Sequence, residues 1–314
     1  MNNEEKWTGL NPAIEIPLNS DYSINEKELR NYVEWLISFK HITGLVTNGH
    51  TGEIGGFSPE ERKEITRIVA NQAKGRVRVI SGVSAEGTFE AIKHAKDAQD
   101  AGADGILLMP PHVWLRFGMK QSAAIKFVKD VADAIDIGIV IHLYPANTKA
   151  FYPVQTLLEM TKNKNIKAIK MGTRDEALYE RDIAILKEKA PHVGLWTCHD
   201  EYICTSLLPG MDGALIGFCG CVPDLISNMY QKILDGNLFE IRKANEPVQR
   251  MSEAIYGTGE PTGEAHARMK EALYQRKIFS SPLMRPPLMP LSQEEKDSVT
   301  EAIKLGGVEK INLV

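Results

Sequence analysis

Gly138-Ile139-Val140-Ile141-His142-Leu143-Tyr144-Pro145, then an amphipathic stretch over 154–162, then Ile166-Lys167-Ala168-Ile169-Lys170: this succession decides the fold. The outer two pieces are short β-branched runs and read as strands. The piece between them has helical length and an apolar face. The same unit recurs on both sides. Apolar runs lie at 13–18, 42–47, 76–81, 105–109, 138–144, 166–170, 193–197 and 213–216. Helical stretches lie between and after them, at 26–39, 59–73, 88–101, 121–134, 154–162, 175–189, 200–208 and 223–234. Ser58-Pro59-Glu60-Glu61 reads as an N-cap, a first-turn proline and acidic first-turn residues, and Gly75 closes that helix. Eight consecutive βα units predict a parallel sheet closed into a (β/α)₈ barrel. An open doubly wound sheet is the alternative, but no GxGxxG follows the first strand.

The barrel is assigned to residues 1–236 and a helical extension to 237–314. The extension shows helical patterns at 238–256, 263–277 and 292–305, and Pro282, Pro286, Pro287 and Pro290 stiffen the connection before the last. Of 314 residues, 43% are hydrophobic and 25% charged, which excludes disorder and supports a large core. The net charge of −4, without a basic run, argues against nucleic-acid binding. Cys198, Cys204, Cys219 and Cys221 crowd into one stretch, unlike a disulfide framework. The N-terminus lacks an apolar secretory segment, and no run is long enough to span a bilayer. A cytoplasmic location is expected.

In such a barrel the active site lies at the C-terminal strand ends. Ala168 and Lys170 alternate onto one face of the sixth strand, and Ile166 is expected to share it. Lys170 then sits at the mouth of a closed interior. There desolvation disfavours the ammonium, and a neutral amine attacks a carbonyl to form a Schiff base. A lysine that reaches out of the mouth to pair with a carboxylate is equally compatible with this pattern. Gly49-His50-Thr51-Gly52-Glu53, after the second strand, has the glycines and hydroxyl suited to an anion, or to an ordinary tight turn.

Together these motifs make the chain resemble the dihydrodipicolinate synthase/N-acetylneuraminate lyase family of class I aldolases. The resemblance rests on the Gly-x-Thr-Gly-Glu loop at 49–53, the strand-5 end at 142–145 and Ile169-Lys170, which follows His142 by 28 residues. It covers nearly the whole chain. It implies that Lys170 condenses with pyruvate or a related 2-oxo acid, with no cofactor beyond that covalent adduct. It further implies that Thr51 and its turn, with Gly49 and Gly52, hold the carboxylate. His112, Asn147 and Leu215 complete the expected substrate-binding set. A homotetramer is implied as well.

The chain departs from the family at several positions. His142 stands where the family usually has the proton-transferring tyrosine, and Tyr144 points the same way two residues on. Either moves the proton. His50 and His112 fall at or near two further hydroxyl positions, so imidazoles form the expected relay. Asn147 replaces an arginine, which weakens dihydrodipicolinate synthesis proper. Other readings remain open. One is a pyruvate-releasing hydratase-aldolase with an aromatic aldehyde, hinted at by His199-Asp200-Glu201-Tyr202 and by Trp114, Phe117 and Trp196. Another is a metal-dependent class II aldolase using His50, His112, His142, His199, Asp200, Cys219 and Cys221. The last is a non-catalytic 2-oxo-acid-binding relative. His266 and Arg268 are expected on a solvated or interface face.

Overall fold

A computed structural model describes residues 6–257 and 262–313. Its strands are β1 (Gly9–Pro12), β2 (Gly44–Thr47), β3 (Arg78–Val83), β4 (Gly105–Leu108), β5 (Gly138–Leu143), β6 (Ile166–Met171), β7 (Gly194–Thr197) and β8 (Gly213–Ile216). They are parallel, and the sheet runs β1-β8-β7-β6-β5-β4-β3-β2. Parallel bridges Leu10 to Ile42 and Ala13 to Val46 join β1 back to the β2 side, which closes the barrel. The helices that follow the strands are α1 (Glu26–Ile37), α2 (Pro59–Ala73), α3 (Thr88–Asp100), α4 (Val113–Phe117), α5 (Gln121–Ala132), α6 (Val154–Met160), α7 (Glu176–Lys189), α8 (Ile203–Leu207), α9 (Phe218–Cys221) and α10 (Pro223–Asp235). Beyond them come α11 (Leu238–Tyr256), α12 (Gly263–Gln275) and α13 (Gln293–Leu305). No helix among the described residues is long and apolar enough to cross a membrane.

Side-chain alternation splits the apolar residues into two layers. Val46, Ile80, Leu107, Val140, Ala168, Trp196 and Leu215 point inward with Trp7 and Ala13 and fill the barrel. Alternate residues such as Ile106, Ile139, Ile141, Ile169 and Leu195 face the helices. Trp7 plugs the N-terminal end and stacks on Trp196 at 6.4 Å. Its ring lies so close to Gly105 and Gly138 that a Cβ there would approach it to 2.6 and 2.5 Å. The interior is therefore solid at one end and open only at the other.

Two expectations are corrected. The first strand is Gly9–Pro12, not 13–18. Ile14, Ile16 and Leu18 are fully buried, but against the outer core rather than along a ladder. Apolarity reports burial, and Pro17 lacks the donor a ladder needs. The second correction concerns β6. Ile139 pairs with Ile166 but Val140 with Ala168, so Lys167 is an extra residue in a bulge. Ile166 therefore faces the helices, and only Ala168 shares the inward face with Lys170. The short helices α4 and α9 were not expected, and 200–208 is a 3₁₀ turn at Asp200–Tyr202 running into α8.

Candidate active site

β6 and β5 bring the central pair together. Lys170 is in direct register with His142 across the two strands, so the 28-residue spacing becomes a cross-strand neighbour relation. Both line a cavity of about 230 Å³ at the barrel mouth, with His50, Thr51, Tyr144 and Leu215. His142 is buried and its Nδ1 has no partner. Burial, with the Lys170 charge second, pushes its imidazole well below the ordinary histidine range. The same causes, in the same order, lower His50 to about 3. Both rings are neutral near pH 7.

The loop after β2 is held from two sides. Asn48 has left-handed backbone, and its amide donates to the Arg62 carbonyl, the Thr66 hydroxyl and the Ser81 hydroxyl, each at 2.9 Å. This pins the loop to α2 and β3, so His50 and Thr51 turn inward. Thr51 packs against Gly217, where a Cβ would lie 2.4 Å from the threonine hydroxyl. Only glycine after β8 leaves that hydroxyl its place.

Tyr144 joins the histidines. Its hydroxyl lies 3.2 Å from His112 Nε2 and 3.4 Å from His50 Nε2. Its ring sits 4.8 Å from that of His142, and burial raises its phenol above the usual tyrosine range. The expected relay of His50, His112, His142 and Tyr144 is thus one connected group. His112 itself lies behind Tyr144 rather than on the cavity wall. With His112, two more expected binding residues are absent from that wall. Gly52 is buried against the Ile14 carbonyl, and Asn147 is exposed beyond the mouth.

The wall also holds residues outside the expected Schiff-base site. Arg174, just past β6, brings a guanidinium to the mouth, bound to Glu201 at 2.6 Å. The charge missing at Asn147 therefore enters from another strand end. Cys198 and Asp200 follow Trp196 at alternate positions and face inward. Alternation would have found them. It also turns His199 away, to stack on Tyr202 at 4.8 Å. Burial raises the Asp200 carboxyl to about 7 although it accepts the Phe218 N–H at 2.8 Å. Tyr256 of α11 and His266 of α12 close the far side. His266 was expected on an outer face. Instead burial, with Lys170 second, lowers it to about 4.

The rival ligand set does not assemble. Among the described residues no three histidine, cysteine, aspartate or glutamate side chains are placed to hold a metal ion. Cys219 and Cys221 are fully buried in the core. The proposed aromatic lining is dispersed as well. Trp196 lies in the barrel floor, Trp114 packs on Phe127 and Tyr152, and Phe117 is exposed.

A family model described as the dihydrodipicolinate synthetase family matches residues 6–305. The chain belongs to that family. It is 27% identical to a 4-hydroxy-tetrahydrodipicolinate synthase of Bartonella bacilliformis, over 96% of this chain and 99% of that protein. A probable 2-dehydro-3-deoxy-D-pentonate aldolase of Escherichia coli is 25% identical, over 97% and 99%. A solved monomeric dihydrodipicolinate synthase variant superposes with a TM-score of 0.89 at 21% identity, covering 98% of this chain and 99% of its own. A prophage protein of the same family from Escherichia coli K12, solved with pyruvate, gives 0.87 at 23%, covering 96% and 99%. These two structural likenesses support the barrel and its helical extension. The family and its named relatives make the chain a lyase of the dihydrodipicolinate synthase/N-acetylneuraminate lyase type.

Proposed function

We propose that Lys170 forms a Schiff base with pyruvate or a pyruvate-derived 2-oxo acid, for aldol cleavage, condensation or dehydration. The observation that carries this is the direct pairing of Lys170 with His142 inside the cavity. The amine attacks the 2-oxo carbon, and the carbinolamine loses water to give an iminium. The iminium then takes up the electron pair released when a bond at C3 breaks. His142 transfers the proton beside the lysine, with which it is in direct register on the cavity wall. Tyr144, His50 and His112 carry the proton onward. Thr51 and the Gly49 turn hold the substrate carboxylate, and Leu215 packs beneath it. The chemistry needs no cofactor. The reading extends to a cytoplasmic homotetramer acting on small molecules. Exposed Leu238 and Phe239, neighbours at the start of α11, support an association surface.

Borohydride reduction in the presence of pyruvate tests the central step. The expected result is one adduct, on the peptide containing Lys170, that is absent from Lys170→Met. An adduct elsewhere, or none, overturns the proposal.

A further inference from the structure

A second cavity, of about 490 Å³, adjoins the first. His50 and His266 line both, so two imidazoles form the partition between Lys170 and the second chamber. Its far walls are Ile54, Gly55 and Gly56 from the loop after β2, and Pro286, Pro287 and Leu288 from the connection before α13. Two charged residues also border it, and both are paired. Glu53 takes Lys270 Nζ at 2.5 Å on one oxygen and the Arg285 N–H at 2.8 Å on the other. The Arg285 guanidinium is spent on Glu61, the Gly56 carbonyl and the Tyr22 carbonyl. The partition imidazoles are themselves held neutral by burial. Among the described residues the chamber therefore offers mainly apolar surface, with the Thr262 hydroxyl beside it, and no unpaired charge to recognise an anion or a sugar acid.

We propose that this chamber is the subsite for an uncharged, apolar tail of the substrate, whose 2-oxo-acid head is bound at Lys170. The inference rests on the Schiff-base reading for the head and adds the chemical class of the rest. The wall that His50 and His266 share between the two cavities selects this occupant, since among the described residues only these side chains separate the head from the chamber. A tail leaving the head on the His50 side enters the chamber directly. Cavities of this size suit an alkyl chain or an aryl group. His266, from the helical extension, acts here as a positioning residue that shapes the passage.

The test is the half-saturating concentration for borohydride-trapped adduct, read by intact mass, across 2-oxo acids of growing tail. The series is pyruvate, 2-oxobutanoate, 2-oxohexanoate and 6-phenyl-2-oxohexanoate. In the wild type the value falls by about fourfold for each methylene that enters the chamber. Gly55 has open space around a built Cβ, so Gly55→Trp fills the chamber without touching the Lys170 cavity. That variant is expected to lose at least about tenfold of the gain for the phenyl acid while its pyruvate value stays unchanged. Leu288→Ser shifts the phenyl acid in the same direction and stands in if the tryptophan variant does not fold. A wild type that binds the phenyl acid no better than pyruvate overturns the subsite. So does loss that is equal for every acid in both variants. Absence of a pyruvate adduct overturns the lysine reading itself, and the subsite with it.

Discussion

Asp200 shows how burial at one residue sets a measurable pH dependence. Its carboxyl titrates at about 7 in the folded protein, against 3.8 for an ordinary aspartate, chiefly because it is desolvated. Between these values the folded state holds a proton that the unfolded chain has released. Stability from this group therefore falls as pH rises from about 4 to about 7. The histidines act in the opposite sense. His50, His199 and His266 are lowered to about 3, 3 and 4, so their contribution is lost as pH falls below about 6.5. Asn does not titrate, and the histidine contribution cancels between wild type and variant. Asp200→Asn should thus gain on the wild type by about 2–3 kcal/mol between pH 5 and pH 7. Urea denaturation at the two pH values measures this, and an unchanged difference would contradict the burial argument. At this scale much of the site is legible in sequence. Lys170, His142, Tyr144, His50 and Thr51 all sit at strand ends, where the barrel rule looks. His266 was hidden, because it approaches from the helical extension, whereas Arg174 stands three residues past β6, as His50 does past β2, and was within reach of the same rule.

Helix α12 is the element that ties the extension to the site. His266 and Lys270 are four residues apart and share one face. One lines the cavity and the other forms a buried ion pair with Glu53 at 2.5 Å. Lys270 also donates to the Leu283 carbonyl at 2.9 Å. Glu15 lies near the pair, its oxygens unpartnered, and burial keeps it well above the carboxylate range. Removing the lysine charge leaves Glu53 buried without its cation. Lys270→Met should cost about 3–5 kcal/mol, and adding Glu53→Gln should recover part of that loss. A double-variant loss equal to the sum of the two single losses in urea melts would show that the pair is not coupled. Sequence pattern located α12 almost to the residue, since 263–277 was expected and Gly263–Gln275 is found. It did not foresee what the helix touches. Periodicity gives the apolar face of a helix, whereas the Lys270 partner is 217 residues away. The misplaced first strand has the same origin, because a buried run and a paired strand look alike in composition.

At the scale of the whole molecule, the helical extension from residue 237 is expected to share one folding unit with the barrel. Ile241, Val248, Met251, Leu273, Phe279 and Val299 belong to the same continuous core as the barrel helices. Phe279 meets Tyr32 of α1 edge-on at 5.0 Å. Arg276 is fully buried, lies over the Trp35 ring at 5.2 Å and pairs with Asp224 at 2.7 Å. A chain ending at residue 236 would expose that apolar surface and leave Asp224 without its guanidinium. It would also remove Tyr256 and His266 from the cavity wall. The fragment 1–236 is therefore expected to lack a cooperative melt, and 237–314 alone to lack stable helix by far-UV circular dichroism, its helices having lost the packing that stabilises them. The full chain should unfold in one transition, with near-UV and far-UV signals coincident. A sharp melt from the isolated barrel fragment would instead establish two folding units. In that case the passage shaped by His266 would be an addition to a finished barrel rather than part of its core.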